Sequence, residues 1–481
     1  MIGRLQASWS RWVCCAVAIF QISLTTGCTT HAKRIAQPRN NFYDGQFTVC
    51  REQLEKIAKN HRQDRDVANL DLAIVDLLDG ECRQAERRLK EVRDRFDHLE
   101  QTSLAEKTVS MWTDDSARAY AGEDYEKILI RVFLALTSLM HDGTDAESYT
   151  LQIQDKHEAI RERLGQKDVK PPEANPPSAN PPSHNPPDGN LQESKSPERN
   201  PGFGLPIGFY LRGMLREQTH QNYDDALRAY TQASSLLPNC VPLHWDVARV
   251  QQGVHSQPGC GVVYVFAMVG RGPYKVEVCE QPTSDALLIA DRIVSAVGPH
   301  HLPPTIAPIK VPDVVVPQSD VDSVHVSVEG RNIGPTVSLA DVERLAENTY
   351  RSQRDQIVAR AVARRVIKKA TVVTAKNSIG ANDLTGLGMD LAGVAWEATE
   401  AADTRCWGLL PRDIQVLRVE VPSGDRQLQL APMLGSYFHG VTQSIDVHVD
   451  NGRNTYVLCW FPDSRATGRV LASHAANTAR R

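Results

Sequence analysis

This chain of 481 residues lacks an excess of basic residues and lacks an apolar run of membrane-spanning length. It has 54 lysines and arginines against 58 aspartates and glutamates, a formal net charge of −4 without the basic field typical of nucleic-acid-binding proteins. We therefore expect no nucleic-acid partner. The one long apolar stretch, from Trp12 to Leu24, covers about thirteen residues, whereas a membrane-spanning helix needs roughly 20. This stretch is too short to be a convincing anchor by itself.

The cysteines lack the CxxC spacing of a zinc site, although the chain has ten of them. Seven lie beyond the N-terminal region, an odd and scattered set that is not typical of a disulfide scaffold: Cys50, Cys82, Cys240, Cys260, Cys279, Cys406 and Cys459. A hairpin that turns at Arg271–Gly272 would place Cys279 opposite Tyr264, about 13 Å along the strand from Cys260. Because the Cα atoms of a disulfide lie within about 7 Å, we expect no bond between these two cysteines. We also expect no metal site and no cofactor.

The N-terminal residues have the form of a secretory signal peptide, with two arginines before the apolar run. The run closes on LTTGC, which resembles the lipobox of bacterial lipoproteins, although Thr25 stands where that family usually has Leu. The resemblance implies cleavage before Cys28 and acylation of Cys28, and two or more acyl chains hold a protein stably at a membrane. Thr29 resembles the outer-membrane sorting signal, which implies an envelope protein that faces the periplasm. An ordinary signal peptide with an accidental cysteine is the alternative.

Apolar residues at helical spacing fill most of residues 41–165. Later in the chain, Ala226, Tyr230, Ala233 and Pro238 have the spacing of the second half of a tetratricopeptide repeat (TPR), with Gly213 one residue from the first-half glycine. Three or four degenerate copies of such a helix pair predict one α-solenoid. A generic helical bundle is the alternative.

Between the third and fourth copies, prolines recur every five residues from Pro171 to Pro186 and predict a disordered, extended spacer. After Gly253 the apolar period changes to two, which predicts β-structure. The predicted hairpins span 261–279, 414–430 and 444–461, the last with a type I′ turn at Asn451–Gly452 that sets Asp450 opposite Arg453. Helices are predicted at 339–374 and 384–402.

The separation of helices and strands along the chain predicts an α+β multidomain protein, with an N-terminal TPR-like α-solenoid and then a small β-sandwich-like domain with a helical insertion. The predicted parts are a lipoprotein signal peptide (1–27), a tether (28–40), TPR-like helical repeats (41–165), a Pro/Asn-rich disordered linker (166–200), a TPR-like helical repeat (201–252), a β-rich segment (253–335), a helical insertion (336–402), C-terminal β-hairpins (403–465) and a disordered tail (466–481).

Two groups of charged residues are candidate sites. Asp446, His448 and Asp450 alternate along one strand and carry zinc-binding groups, but same-face neighbours stand about 7 Å apart, so a solvated strand face is the expectation we prefer. Arg360, Arg364 and Lys368 form one basic stripe on a predicted helix. That stripe is a possible interaction face for anionic headgroups or a partner, and pairing with acidic residues or exposure to water is the alternative.

The segment ADTRCWGLLP, residues 402–411, contains Asp403, Arg405, Cys406 and Trp407. A nucleophilic Cys406 would need a histidine placed nearby in space, and the nearest in sequence are His439 and His448. We prefer a structural junction here, with an Arg–Asp pair, a buried Trp407 and a strand that begins at Pro411.

With DYEKILIRVFLALTSL and NYDDALRAYTQASSLLPN, this segment resembles an uncharacterised family of bacterial TPR-like lipoproteins whose β-rich part bears an ADTR-x-W-x-x-LP signature. The resemblance implies a fold and an envelope location, and makes Asp403, Arg405 and Trp407 a structural signature. That family carries no assigned activity, so the resemblance implies no catalytic residues.

We therefore expect a lipid-anchored scaffold, not an enzyme, whose repeats bind an unknown envelope protein or peptide. The alternative is an enzyme or small-ligand-binding protein that uses the C-terminal β domain, at residues 403–407 or 446–450. A third possibility is a structural role in surface assembly, with the proline tract as an extended reach.

Overall fold

The computed structural model describes residues 30–105, 119–168, 204–298, 301–303, 306–379 and 401–473. Cys28 and the signal peptide, the proline tract, and nearly all of the predicted helix 384–402 lie outside the described residues. Within those residues the chain is a mixed α/β protein, with a helical N-terminal region followed by sheets. None of the helices there is long and apolar enough to cross a membrane.

The N-terminal region contains helices that pack each against the next along the chain. They are α1 (His31–Tyr43), α2 (Phe47–Asn60), α3 (Arg65–Asp79), α4 (Cys82–Ala105), α5 (Asp124–Leu139), α6 (Ala146–Asp168), α7 (Pro206–Glu217), α8 (Tyr223–Leu236) and α9 (Val241–Gln251). Helix α1 occupies most of the segment predicted as a tether, because Ile35 and Phe42 are buried in the helical core.

The TPR-like motif packs one helix closely on the next. Ala226, Tyr230 and Ala233 of α8 are buried, and they share one face of that helix. A Cβ atom at Gly213 of α7 would lie 2.8 Å from the Tyr230 ring, so only glycine allows this approach of α7 to α8. The predicted helical spacing of the three α8 residues is confirmed.

The strands form two large sheets and one small one. They are β1 (Cys260–Arg271), β2 (Tyr274–Glu280), β3 (Ile309–Val315), β4 (Ser323–Val328), β5 (Arg331–Pro335), β6 (Val337–Asp341), β7 (Pro411–Pro422), β8 (Gly424–Leu434), β9 (Tyr437–Phe438), β10 (Gln443–Val449), β11 (Asn454–Phe461) and β12 (Leu471–Ala472). The inner sheet has the order β12-β11-β1-β7-β6, the outer sheet has the order β10-β8-β4-β5 with β9 beside β8, and β2 pairs with β3. Strand β12 lies in the segment predicted as a disordered tail.

The inner sheet is buried on both of its faces. In β1, Tyr264 and Phe266 belong to the core shared with the helices, while Val263 and Val265 belong to the core shared with the outer sheet. Both sets are fully buried, so β1 has the continuous apolar sequence of a central strand instead of an alternating one.

The three predicted hairpins are wrong. Strand β1 pairs antiparallel with β7 and parallel with β11, and β2 pairs with β3, so Cys260 lies opposite Pro422 and Cys279 opposite Lys310. Strands β7 and β8 belong to different sheets, as do β10 and β11, so Asp450 does not face Arg453 in a ladder. At each of the three places the chain passes from one sheet into another. Asn451–Gly452 is a turn, but it is not of type I′, because Asn451 lacks the positive φ which that type requires. Cys260 and Cys279 lie on strands that do not pair with each other, and every cysteine among the described residues is a free thiol.

The helical part of the C-terminal region also differs from the prediction. Residues predicted as the start of a helix at Leu339 form β6, and helix α11 runs from Val342 to Ile379. A further helix, α10 (Ser284–Val297), lies in the segment predicted as β-rich, and the Thr283 hydroxyl caps it by accepting the Ala286 N–H at 3.1 Å. This capping threonine was the local signal for α10.

Candidate functional site

The ADTRCWGLLP segment lies between the helical region and the inner sheet. The Trp407 side chain is fully buried, with its ring centroid 5.3 Å from that of Phe133 on α5. The strand β7 begins at Pro411, the last residue of the segment. The predicted burial of Trp407 and the predicted start of a strand at Pro411 are confirmed.

Two buried carboxylates on helices accept main-chain N–H groups of this segment. Glu126 of α5 accepts the Trp407 N–H at 2.8 Å with one oxygen, and accepts the Tyr120 hydroxyl at 2.6 Å and the Glu123 N–H at 3.0 Å with the other. Asp71 of α3 accepts the Leu409 N–H at 2.8 Å. These bonds join the sheet region to two separate helices.

Both of these carboxyl groups are removed from water. Burial raises the pKa of Asp71 well above its usual value, and burial with the nearby Glu123 raises the pKa of Glu126. Their donors are fixed backbone groups and a tyrosine, which is an arrangement for holding a segment in place.

Asp403 and Arg405 form the predicted ion pair. The guanidinium Nε donates to one Asp403 oxygen at 2.8 Å and a terminal nitrogen donates to the other at 2.6 Å. The Arg405 side chain also donates to the Gln63 carbonyl at 3.3 Å and lies over the Tyr120 ring. Arg405, which is 3% exposed, therefore adds a third link between the segment and the helices.

The residues proposed for a nucleophilic site do not come together. Cys406 is buried, the Lys275 N–H donates to its sulfur at 3.4 Å, and burial raises the pKa of its thiol to about 12. His439 lies 3.5 Å from Asp320 and His448 lies 2.6 Å from Asp425, both at the outer sheet. In the described part of the chain, neither histidine hydrogen bonds to Cys406.

The Asp446 and His448 side chains are exposed on β10 and that of Asp450 is exposed directly after this strand, while Val447 and Val449 are buried. The His448 ring contacts Asp425 on the neighbouring strand, which raises the pKa of His448. No group of three or more metal-binding side chains able to hold an ion is found among the described residues. The preferred expectation of a solvated strand face is confirmed.

The basic stripe lies on α11, where Arg360 is exposed and both Arg364 and Lys368 are half-buried. Arg360 and Arg364 line a cleft of about 140 Å³ together with Asp403 and Lys310. The structure thus brings part of the stripe close to residues 402–411, a proximity that the sequence did not predict.

A larger cleft of about 310 Å³, which we call the α9 cleft, was not predicted. It lies between α9 and strands β6 and β7, and its lining residues are Tyr210, Pro242, Leu243, Trp245, Asp246, Arg249, Val337, Leu339, Val416, Leu417 and Arg418. Trp245 stands at its rim with 69% of the residue exposed. The sequence contains one indication of this surface. Trp245 lies outside the helix face on which Leu243 and Val250 are buried, so its side chain is left for another contact.

A network of paired charges lies under the α9 cleft. Glu217 is fully buried, accepts the Tyr264 hydroxyl with one oxygen, and accepts an Arg249 N–H at 2.6 Å with the other. Arg249 also donates to Asp246 at 2.7 Å, and Arg418 lies 3.7 Å from Glu217 and 3.9 Å from Asp246. Two guanidinium groups thus face two carboxyl groups, and their formal charges cancel.

Comparisons of the chain with models of protein families, with curated proteins and with solved structures gave no match.

Proposed function

We propose that this chain is a lipid-anchored protein of the bacterial cell envelope that binds another envelope protein or peptide. In this proposal Cys28 carries the acyl chains and holds the chain at the periplasmic face of the outer membrane. Helices α1–α9 act as a TPR-like solenoid, and the inner and outer sheets act as a β-sandwich. The resemblance to TPR-like lipoproteins belongs to the same proposal.

The packing of α7 on α8 carries this proposal. Ala226, Tyr230 and Ala233 are buried on one face of α8, which fits the second half of the repeat motif. Gly213, one residue from the first-half glycine of the motif, lies against Tyr230. Stacked helix pairs bury one face on their neighbours and leave extended surfaces that bind proteins.

The alternative of an enzyme has less support at the two places considered. The raised pKa of the buried Cys406 thiol leaves little thiolate at neutral pH, and the thiolate is the nucleophile. The 446–450 face is open to water and its carboxylates do not converge.

The test compares wild type with Cys28→Ala by crosslinking in living cells, followed by capture from membranes. The proposal predicts that wild type fractionates with membranes and brings down a defined set of proteins, and that the variant does neither. If both forms are soluble and come down alone, the lipid anchor and the scaffold role are both wrong.

A second comparison separates scaffold from enzyme. A scaffold tolerates Cys406→Ala and His448→Ala in its binding of captured partners, and loses binding when charges are reversed along the repeat surface. Loss of a measurable activity in either of the first two variants, with the fold intact, would support the enzyme alternative instead.

A further inference from the structure

The α9 cleft lies beside an open edge of the inner sheet. Strand β6 is the last strand in the order of that sheet and pairs with β7 on one side. No described strand pairs with its other side. Main-chain N–H and C=O groups at such an edge can accept an added strand, which is how many proteins bind extended peptides.

The cleft has apolar lining residues from one helix and two strands. Leu243 belongs to α9, Leu339 to β6 and Val416 to β7. A volume of about 310 Å³ is at the small end of the range for ligand sites, which is roughly 300–1,000 Å³. This space suits one bulky side chain with part of its backbone better than a large cofactor.

The rim of the cleft carries an aromatic side chain that the folded chain leaves in water. Trp245 is 69% exposed, whereas Trp407 and Trp460 are fully buried. Exposed tryptophans that border a pocket are among the residues that contribute most to protein–protein binding, because they bury a large apolar area on association.

The charges beneath the cleft give no preference for a charged ligand. Arg249 and Arg418 are balanced by Glu217 and Asp246, and these four side chains are already within ion-pair distance of one another. A charged ligand would have to lose its water of hydration, and each arginine of this network already has carboxyl groups within ion-pair distance. A neutral, apolar group is therefore favoured.

We propose that the α9 cleft binds an extended peptide of a partner protein, which adds as a strand to β6 and inserts one bulky apolar side chain beside Trp245. This inference rests on the proposed function, since it names the chemistry of the bound partner. It places a contact at the end of the helix stack, between the last repeat helix and the inner sheet.

The test uses a displayed library of random twelve-residue peptides, selected on the purified mature chain. We expect the selected peptides to share a large apolar residue flanked by residues that favour extended structure. Dissociation constants are then measured for three variants. Trp245→Ala removes the indole ring at the rim of the cleft, and Val337→Trp fills the cleft. Each variant is expected to weaken binding by about tenfold or more. Leu288→Ala on α10 is the matched control, because Leu288 is 64% exposed and does not line the cleft, and it leaves binding unchanged.

Two results would overturn this inference. One is that no peptide is enriched, and the other is that the enriched peptides bind the Trp245→Ala and Val337→Trp chains as tightly as wild type. Trp245→Ala changes an exposed side chain, so its fold is expected to be intact, and far-ultraviolet circular dichroism checks this. The proposed function has its own readout, capture from membranes. If Trp245→Ala captures the same proteins as wild type, the scaffold role stands and only the α9 cleft is wrong.

Discussion

The helical region meets the inner sheet at two different junctions. At the closed junction, formed by residues 403–410 against α3 and α5, buried carboxylates bond to main-chain N–H groups and Trp407 is fully buried. At the α9 cleft, buried carboxylates bond to arginines and a tyrosine, and Trp245 stays largely in water. Similar side chains therefore serve two purposes: the first junction fastens two parts of the fold, and the second leaves an apolar surface open.

The largest expected effect is a difference in stability between two variants, each of which replaces the tryptophan of one junction with alanine. Trp407→Ala empties a fully buried site, and such changes cost about 3–5 kcal/mol of unfolding free energy. Trp245→Ala changes an exposed side chain and is expected to stay within about 0.5 kcal/mol of wild type. Chemical denaturation of both variants measures the difference. Equal losses would show that the two junctions do not differ in the way described.

A smaller loss is expected from the carboxylate that fastens the closed junction. Glu126→Ala leaves the Trp407 N–H, the Glu123 N–H and the Tyr120 hydroxyl without their acceptor. Unpaired buried polar groups cost about 1–3 kcal/mol each, so we expect a loss of at least about 2 kcal/mol in chemical denaturation. Glu126→Gln keeps one acceptor oxygen and serves as the matched variant. The fastening role is contradicted if Glu126→Ala is no less stable than Glu126→Gln.

A pH-dependent effect is expected on β7, the strand that leaves the closed junction and lines the α9 cleft. Burial raises the pKa of Asp413 from 3.8 to about 6. Between these values the folded chain holds more protons than the unfolded chain, so this group's contribution to stability is present at low pH and is lost as the pH rises to about 6. Asp413→Asn is expected to remove this group's share of the decrease in unfolding free energy between about pH 4 and 6. Unfolding free energies of both chains at several pH values between 4 and 7 test it, and parallel curves would contradict the assignment.

The smallest effect concerns reactivity, not stability. Cys279 is exposed on β2, whereas Cys406 in the closed junction is buried with a raised thiol pKa. Iodoacetamide at pH 8 is expected to modify Cys279 in the folded chain and to reach Cys406 only after unfolding. Peptide mass spectrometry gives the order of modification. Modification of Cys406 in the folded chain would contradict this difference and would support a nucleophilic role for Cys406.

Local patterns predicted the parts of the fold whose partners are close in sequence. The spacing of Ala226, Tyr230 and Ala233 describes one helix face, and the alternation of Val447 and Val449 describes one strand face. Asp403 and Arg405 pair across two residues. Each of these features depends on residues that lie only a few positions apart in the sequence.

The rest depends on partners that no local pattern names. The acceptor of the Trp407 N–H is 281 residues away in sequence, and that of the Leu409 N–H is 338 residues away. Turn residues such as Asn451–Gly452 predicted a reversal of the chain, but not that the next strand would enter a different sheet. The α9 cleft is lined by residues of α7, α9, β6 and β7, which are far apart in sequence.

Hydrogen exchange of the Trp407 and Leu409 backbone amides in the native chain tests the fastening role of the closed junction most directly. We predict that both amides exchange only with global unfolding, as slowly as the amides of β1, and that Glu126→Ala speeds exchange at Trp407. Exchange of the wild-type amides at the rate of an exposed loop would contradict this role for residues 403–410.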